Sequence, residues 1–345
     1  MSGVNRLRAV TKLAVHHLGV LALFRRARRG TRALVVRYHA VAADGLPAPT
    51  YAGPEITIPR SLFAAQMRFL RRAYTPVPLG AMIDALSRGE APPPGSVAIT
   101  FDDGYADNLE AARTLHRHGL TATFYITAGC LAGEAPFWLA ELRYLLPRIR
   151  ESRVTLASAG RTVEVELRPG MDWNGPARAV GRLFKSVTID ERERLRDELR
   201  RIADAGDAPS PMLTWDQVRE MHALGMTIGS HTLTHPNLPS AGLDAATHEI
   251  RGARARLEQE IGGPVTMFSY PNGGAERYVT AELQAVVREA GYEAATTSTN
   301  GFATLASNPY ALERVRVAER LADVVFGLEV ERFLFKPGPR ETVGE

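Results

Sequence analysis

The chain has 345 residues, 45% of them hydrophobic and 23% charged, with a net charge of +4. This balance excludes a disordered chain and a membrane-embedded body, and a charge of +4 over this length gives no electrostatic case for nucleic acid. Cys130 is the single cysteine, so no intrachain disulfide can form, which fits a reducing compartment.

The first 32 residues stand apart in composition. Leu13 to Phe24 is mostly apolar, preceded by Arg6, Arg8 and Lys12 and followed by Arg25, Arg26, Arg28 and Arg29. The run is shorter than the roughly 20 residues needed to span a bilayer. It lacks a small-residue cleavage site, and the arginines after it would resist export. Two readings stay open, a helix that packs on the protein and a basic amphipathic segment on an anionic membrane surface. The expectation is a cytoplasmic protein, with peripheral membrane contact through this segment as the alternative to the packing helix. The abundance of arginine over lysine, with much alanine, matches the coding bias of a GC-rich bacterium.

From Arg32 short apolar runs alternate with helical stretches. Ala33 to Tyr38 reads as a buried strand. Pro59 to Arg72 reads as a helix with Leu62, Phe63, Met67, Phe69 and Leu70 on its apolar face. A second helix near Leu79 to Arg88 stops before Ala91-Pro92-Pro93-Pro94-Gly95. Ser96 to Phe101 is the next strand, and the helix from Ala106 to His118 ends at Gly119. Ala122 to Thr127, Met226 to Gly229, Val265 to Ser269 and Glu293 to Thr297 complete the strands. Such alternation predicts an α/β fold with a parallel sheet or β/α barrel.

The rhythm breaks between Glu134 and Pro211. Arg153 to Ala157 and Arg161 to Leu167 are rich in strand formers, and Ser158, Ala159 and Gly160 between them suggest a hairpin turn. Two charged helices follow, near Pro176 to Lys185 and Asp190 to Ala205. The expected division is a basic segment over 1–32, a domain over 33–330 carrying an insertion at about 134–211, and a tail over 331–345.

The strand Ser96 to Phe101 runs into Asp102-Asp103-Gly104, and ligands in β/α folds bind beyond strand carboxyl ends. By itself that motif also reads as a turn or a helix cap. Ser230-His231-Thr232-Leu233-Thr234-His235 places two histidines four apart after another strand, and on a helical turn both imidazoles reach one cation. One aspartate and two histidines supply three ligands and leave room for water and substrate, the pattern of a catalytic site.

Thr100-Phe101-Asp102-Asp103-Gly104 and Ser230-His231-Thr232-Leu233-Thr234-His235 resemble the first and second motifs of the polysaccharide deacetylases. The resemblance runs from about Val35 to Val317, apart from the insertion. It implies a distorted β/α barrel, usually seven-stranded, and hydrolysis of N-acetyl groups on sugars, sometimes O-acetyl. It further implies Asp103, His231 and His235 as ligands of a divalent metal, Zn2+ by preference, and Asp102 as the base that deprotonates the attacking water. The third motif matches in part. Pro271 and Gly273 agree, while Ser269 stands where the resemblance expects an arginine and Asn272 where it expects a tyrosine. The Asn272 backbone N–H can still serve the oxyanion, although a plain Pro-Asn-Gly turn fits the local sequence too.

The general acid is the remaining role. No histidine follows His248, and Leu312-Glu313-Arg314-Val315-Arg316-Val317 occupies the region of the family's late histidine. His39, after the first strand, is assigned the proton donation to the leaving amine, with a structural capping histidine as the alternative. Arg314 or Arg316 can instead orient a carboxylate. Phe137-Trp138 reads as helix packing before a sugar platform, and Cys130 as a buried small residue. The expected activity is N-deacetylation of an amino-sugar polymer, oligosaccharide or glycolipid precursor. The alternatives are a deformylase or deacetylase of a small or lipid-linked sugar and an inactive carbohydrate-binding homologue.

Overall fold

The computed structural model describes residues 32–45, 50–272 and 278–317. The segment Leu13 to Phe24, Gly273 and the tail 331–345 lie outside the described residues. The first strands are β1 (Leu34–Tyr38), β2 (Ala40–Ala42), β3 (Thr57–Pro59), β4 (Thr75–Pro76), β5 (Ser96–Phe101) and β6 (Thr123–Ile126). The insertion adds β7 (Arg153–Ser158) and β8 (Arg161–Glu166), and the scaffold ends with β9 (Thr227–Ser230), β10 (Met267–Ser269), β11 (Ala294–Thr296) and β12 (Val315–Arg316). Helices α1 (Arg60–Ala73), α2 (Leu79–Ser87) and α3 (Asn108–Arg117) precede the insertion, which holds α4 (Trp138–Leu145), α5 (Asn174–Lys185) and α6 (Ile189–Ala203). Helices α7 (Trp215–Ala223), α8 (Leu238–Ala241), α9 (Leu243–Ile261) and α10 (Ala281–Glu289) follow.

Seven parallel strands run in the order β11-β10-β9-β6-β5-β1-β12, with β4 beside the first half of β5. The sheet curls until Thr296 meets Leu312, whose N–H and carbonyl bond Ala295 and Thr297 at 2.9 Å each. This is the expected distorted β/α barrel. Strand side chains alternate between faces, and the sequence obeys that period. Leu34, Val36, Tyr38, Val97, Ile99, Phe101, Phe124 and Ile126 pack outward against the helices. Phe101 stacks on Phe124 at 4.5 Å and on Tyr38 at 5.2 Å, contacts worth about 0.5–1.5 kcal/mol each beyond the area they bury.

The opposite faces of the same strands fill the barrel. Val35, Ala98, Tyr125, Met267, Ala294 and Leu312 form its base with Leu79, Met82 and Ile83 of α2. Gly229 is required here, because a Cβ would lie 2.6 Å from the Tyr125 ring and 3.0 Å from the Met267 carbonyl. Toward the carboxyl ends the filling turns polar, with Thr100, Ser269, Thr296 and Arg314 all buried. The interior is thus an apolar plug beneath a polar floor, and the site opens above that floor.

The insertion has its own core of Trp138, Leu142, Leu156, Val180, Leu183, Phe184, Leu195 and Leu199. β7 and β8 pair antiparallel with Ser158 opposite Arg161, so the turn is the two residues Ala159 and Gly160, at φ 51° and 71°. Positive φ at both positions is the mark of a type I′ hairpin turn, one residue shorter than the sequence suggested. Helix α6 begins with a reciprocal capping box between Thr188 and Glu191. Buried Glu141 binds Arg196 and Arg200 at 2.7 Å each, tying α4 to α6.

Candidate active site

Asp102 and Asp103 leave the end of β5 in a sharp reversal. Asp103 and Gly104 are both left-handed, at φ 77° and 91°. The Thr127 N–H donates to the Asp103 carbonyl at 3.2 Å, and the Asp102 N–H donates to Tyr38 at 3.0 Å. A non-glycine residue at positive φ costs about 1–3 kcal/mol, and these bonds hold it there. The reversal sends the two adjacent carboxylates to different partners.

Asp103 faces the histidine pair. Its Oδ1 lies 3.4 Å from Nε2 of His231 and 3.4 Å from Nε2 of His235, and all three side chains are buried. The His231 Nδ1 is 2.7 Å from the Ser269 carbonyl. A carbonyl only accepts, so Nδ1 carries a proton, the tautomer that leaves Nε2 for a metal ion. Donor separations of about 3.3–3.4 Å are the edges of a tetrahedron with metal bonds of 2.0–2.1 Å. The residues therefore fit a divalent metal.

Burial lowers the His235 pKa to about 4, against the pull of Asp103, so the imidazole is neutral as a ligand must be. In the metal-free site, burial pushes the Asp103 carboxyl up, but hydrogen bonding with His231 and His235 outweighs it and holds the group well below the usual carboxylate range. The two histidines do not converge through a helical turn, as their spacing suggested. Residues 231–237 form an irregular loop in which Thr232 and His235 are left-handed, at φ 66° and 55°.

Asp102 faces the other way, into the barrel. The Arg314 guanidinium grips it with two parallel bonds, Nη1 to Oδ1 at 2.7 Å and Nη2 to Oδ2 at 2.6 Å. Arg314 is fully buried and also donates to the Thr297 carbonyl at 2.9 Å, to Thr100 Oγ1 at 3.1 Å and to Ser269 Oγ at 3.0 Å. Burial pushes the Asp102 carboxyl up, but Arg314, with His231 and His39, more than reverses this and keeps it ionised.

His39 stands at the end of β1 with Nε2 3.8 Å from Asp102 Oδ2. Burial lowers its pKa against the opposing pull of Asp103 and Asp102. Asn272 is left-handed at φ 60°, and its Nδ2 donates to the Pro236 carbonyl at 3.4 Å. All six residues singled out in the sequence thus gather around one end of the barrel.

The sequence left Arg314 and Arg316 as equals, and the fold separates them. Leu312 and Arg314 share the inward face by the period of two, whereas Arg316 is exposed. Ser269, read as a missing arginine, supports both halves of the site, through its carbonyl to His231 and its hydroxyl to Arg314. Trp138 packs in the insertion core, as its sequence context suggested, and also donates from Nε1 to the His235 carbonyl at 3.0 Å. Glu249 on α9, which nothing in the local sequence marks, accepts the Leu233 and Thr234 N–H groups at 2.8 Å each.

A β/α barrel presenting ionised carboxylates and paired imidazoles at its carboxyl end holds the groups that metal-assisted hydrolysis needs. The comparisons make the class specific. A family model described as polysaccharide deacetylase matches residues 89–295, and the chain belongs to that family and is a hydrolase. YxkH of Bacillus subtilis, which carries the same family designation, is 22% identical over 302 residues, covering 86% of this chain and 75% of YxkH. Among solved structures, the deacetylase PplD of Streptococcus pyogenes, determined with acetate, superposes with a TM-score of 0.57 at 18% identity. The alignment covers 86% of this chain and 98% of PplD. IcaB from Ammonifex degensii gives a TM-score of 0.52 at 19% identity, over 86% of this chain and 98% of IcaB. These two likenesses establish the fold. His39 and Arg314 both fall outside the span of the family model.

Proposed function

We propose that the protein is a metal-dependent deacetylase that removes N-acetyl groups from amino sugars in a polysaccharide, oligosaccharide or glycolipid precursor. The observation that carries this reading is the Asp103, His231 and His235 cradle beside a carboxylate, Asp102, held by two bonds from Arg314. A divalent cation in the cradle, Zn2+ by preference for this donor set, polarises an acyl oxygen and acidifies water when bound.

The chain's own groups supply the remaining chemistry. Asp102 takes a proton from the water that attacks the acyl carbon. Arg314 fixes the carboxylate plane and keeps it ionised, the task that the resemblance assigns to an arginine at position 269. The Asn272 N–H donates to the oxyanion. As the C–N bond breaks, the departing nitrogen needs a proton. His39, neutral at rest, takes it from Asp102 across the 3.8 Å gap at Nε2 and delivers it to that nitrogen. The second proton of the water stays on the acyl product, so the hydrolysis balances as carboxylic acid and amine, which ionise to carboxylate and ammonium.

Arg314 stands in for the arginine that Ser269 lacks, which favours an active enzyme over an inactive homologue. Action in the cytoplasm, beside a membrane, belongs to the same proposal and rests on the arginine-flanked segment Leu13 to Phe24. The test is acetate and formate release from a panel of N-acylated amino-sugar substrates, alongside metal analysis. Stoichiometric metal, acetate release and its loss in Asp102→Asn support the reading. Metal-free protein whose activity survives His231→Ala and His235→Ala overturns it.

A further inference from the structure

The loop that carries both histidines has no regular structure of its own, so its backbone groups must find partners elsewhere. The first half is tied to the barrel. The Ala128 and Gly129 N–H groups donate to the Thr232 and Leu233 carbonyls at 3.0 and 2.9 Å. Glu249 takes the Leu233 and Thr234 N–H groups at 2.8 Å each and the Thr234 hydroxyl at 2.6 Å. The His235 N–H donates to Thr232 Oγ1 at 3.0 Å.

The two carbonyls at the end of the loop are held differently. Arg192 on α6 donates from Nη1 to the Thr234 carbonyl at 3.2 Å and from Nη2 to Thr234 Oγ1 at 3.0 Å. Trp138 on α4 donates from Nε1 to the His235 carbonyl at 3.0 Å. Both donors are buried side chains of the insertion, and the Arg192 guanidinium lies 5.8 Å over the Trp138 ring. Phe137 adds an edge-to-face contact on the His235 imidazole at 5.4 Å. At the far side, Asn237 Nδ2 donates to the Lys185 carbonyl at the end of α5 at 2.8 Å.

We infer that the insertion is a brace for the metal-ligand loop, with Trp138 and Arg192 as positioning residues that hold His235 against Asp103 and His231. The inference rests on the metal reading given above. His235 is left-handed at φ 55°, a conformation the chain leaves unless its neighbours fix it. Removing either donor leaves a buried carbonyl unpaired, and the cheapest relief is rotation of the His235 peptide. That rotation carries the imidazole off the tetrahedral edge it shares with Asp103. Outer partners of this kind set metal affinity without touching the metal.

The experiment is a Co2+ titration of chelator-stripped full-length protein, followed by visible absorption, on the parent, Trp138→Phe, Arg192→Lys and Trp173→Phe. Trp138→Phe keeps the ring in the insertion core and removes only the N–H. Trp173, half-buried in the same core, is the control. Cobalt affinity is expected to fall about tenfold in Trp138→Phe and by a similar factor in Arg192→Lys, with the control at parent affinity. Should one variant fail to fold by circular dichroism, the other still decides the question. Folded variants that bind cobalt as tightly as the parent overturn the brace and leave the metal reading standing. A parent that takes up no cobalt overturns both.

Discussion

Replacing Arg314 by glutamine removes the partner of a buried carboxylate while keeping a polar side chain of moderate size. The pair is nearly inaccessible, with side-chain exposures of 0% for Arg314 and 3% for Asp102, so water cannot substitute for the guanidinium. Breaking such a pair from one side costs about 3–5 kcal/mol. Asp102 can relieve that cost by taking up a proton. At 1.36 kcal/mol per unit, this corresponds to a rise of about 2–4 pKa units from its depressed position. The sign follows from the structure. Arg314 depresses the carboxyl pKa, so its loss leaves burial, which raises it, as the largest influence. The acidic limb of kcat/KM should therefore move up by about two pH units or more. The assay is acetate release across a pH series by metal-loaded protein, with circular dichroism as the check on folding. A double variant, Arg314→Ser with Ser269→Arg, offers a sharper form, because Ser269 Oγ already touches the same Nη2 that binds Asp102. It should recover about tenfold over Arg314→Ser alone. A folded Arg314→Gln protein with parental kcat/KM and an unmoved acidic limb would refute the reasoning.

Three further outcomes follow from the same geometry. His39→Gln should slow amide hydrolysis about 100-fold yet barely affect an activated aryl acetate, whose leaving group needs no proton; equal losses on both substrates argue against proton delivery by His39. In metal-stripped protein His235 titrates near 4, below its ordinary 6.5, so the unfolded chain binds the extra proton between those values. Stability of the stripped protein should then fall as pH drops through that window, by up to about 3 kcal/mol in urea unfolding, and His235→Asn should flatten the slope. Cys130 is buried with Sγ 3.6 Å from the Leu233 carbonyl, and burial pushes its thiol up to about 12. A thiol reagent should leave it unlabelled in the folded protein and label it readily in guanidinium; fast labelling of the native state would contradict the packing around the loop.

The sequence by itself determined the scaffold and the inventory of the site. Strand positions are readable because a barrel strand buries one face against helices and the other against the barrel, leaving dense apolar runs such as Ser96–Phe101. Asp102, Asp103, His231 and His235 are readable because chemistry at strand ends demands those side chains at short, fixed spacing. The tertiary structure decided how they are held. The histidines meet through a left-handed loop, and a spacing of four cannot distinguish that from a helical turn. Arg314 reaches Asp102 across 212 positions of sequence, and its inward direction follows only from barrel closure beside β1. The insertion shows in the sequence only as a break in the strand–helix alternation. Its link to His235 exists because two donors, Trp138 and Arg192, meet carbonyls some 97 and 42 residues away. Local patterning records what a residue is and which face it takes, whereas the pairing of buried polar groups depends on which distant segments the fold brings together.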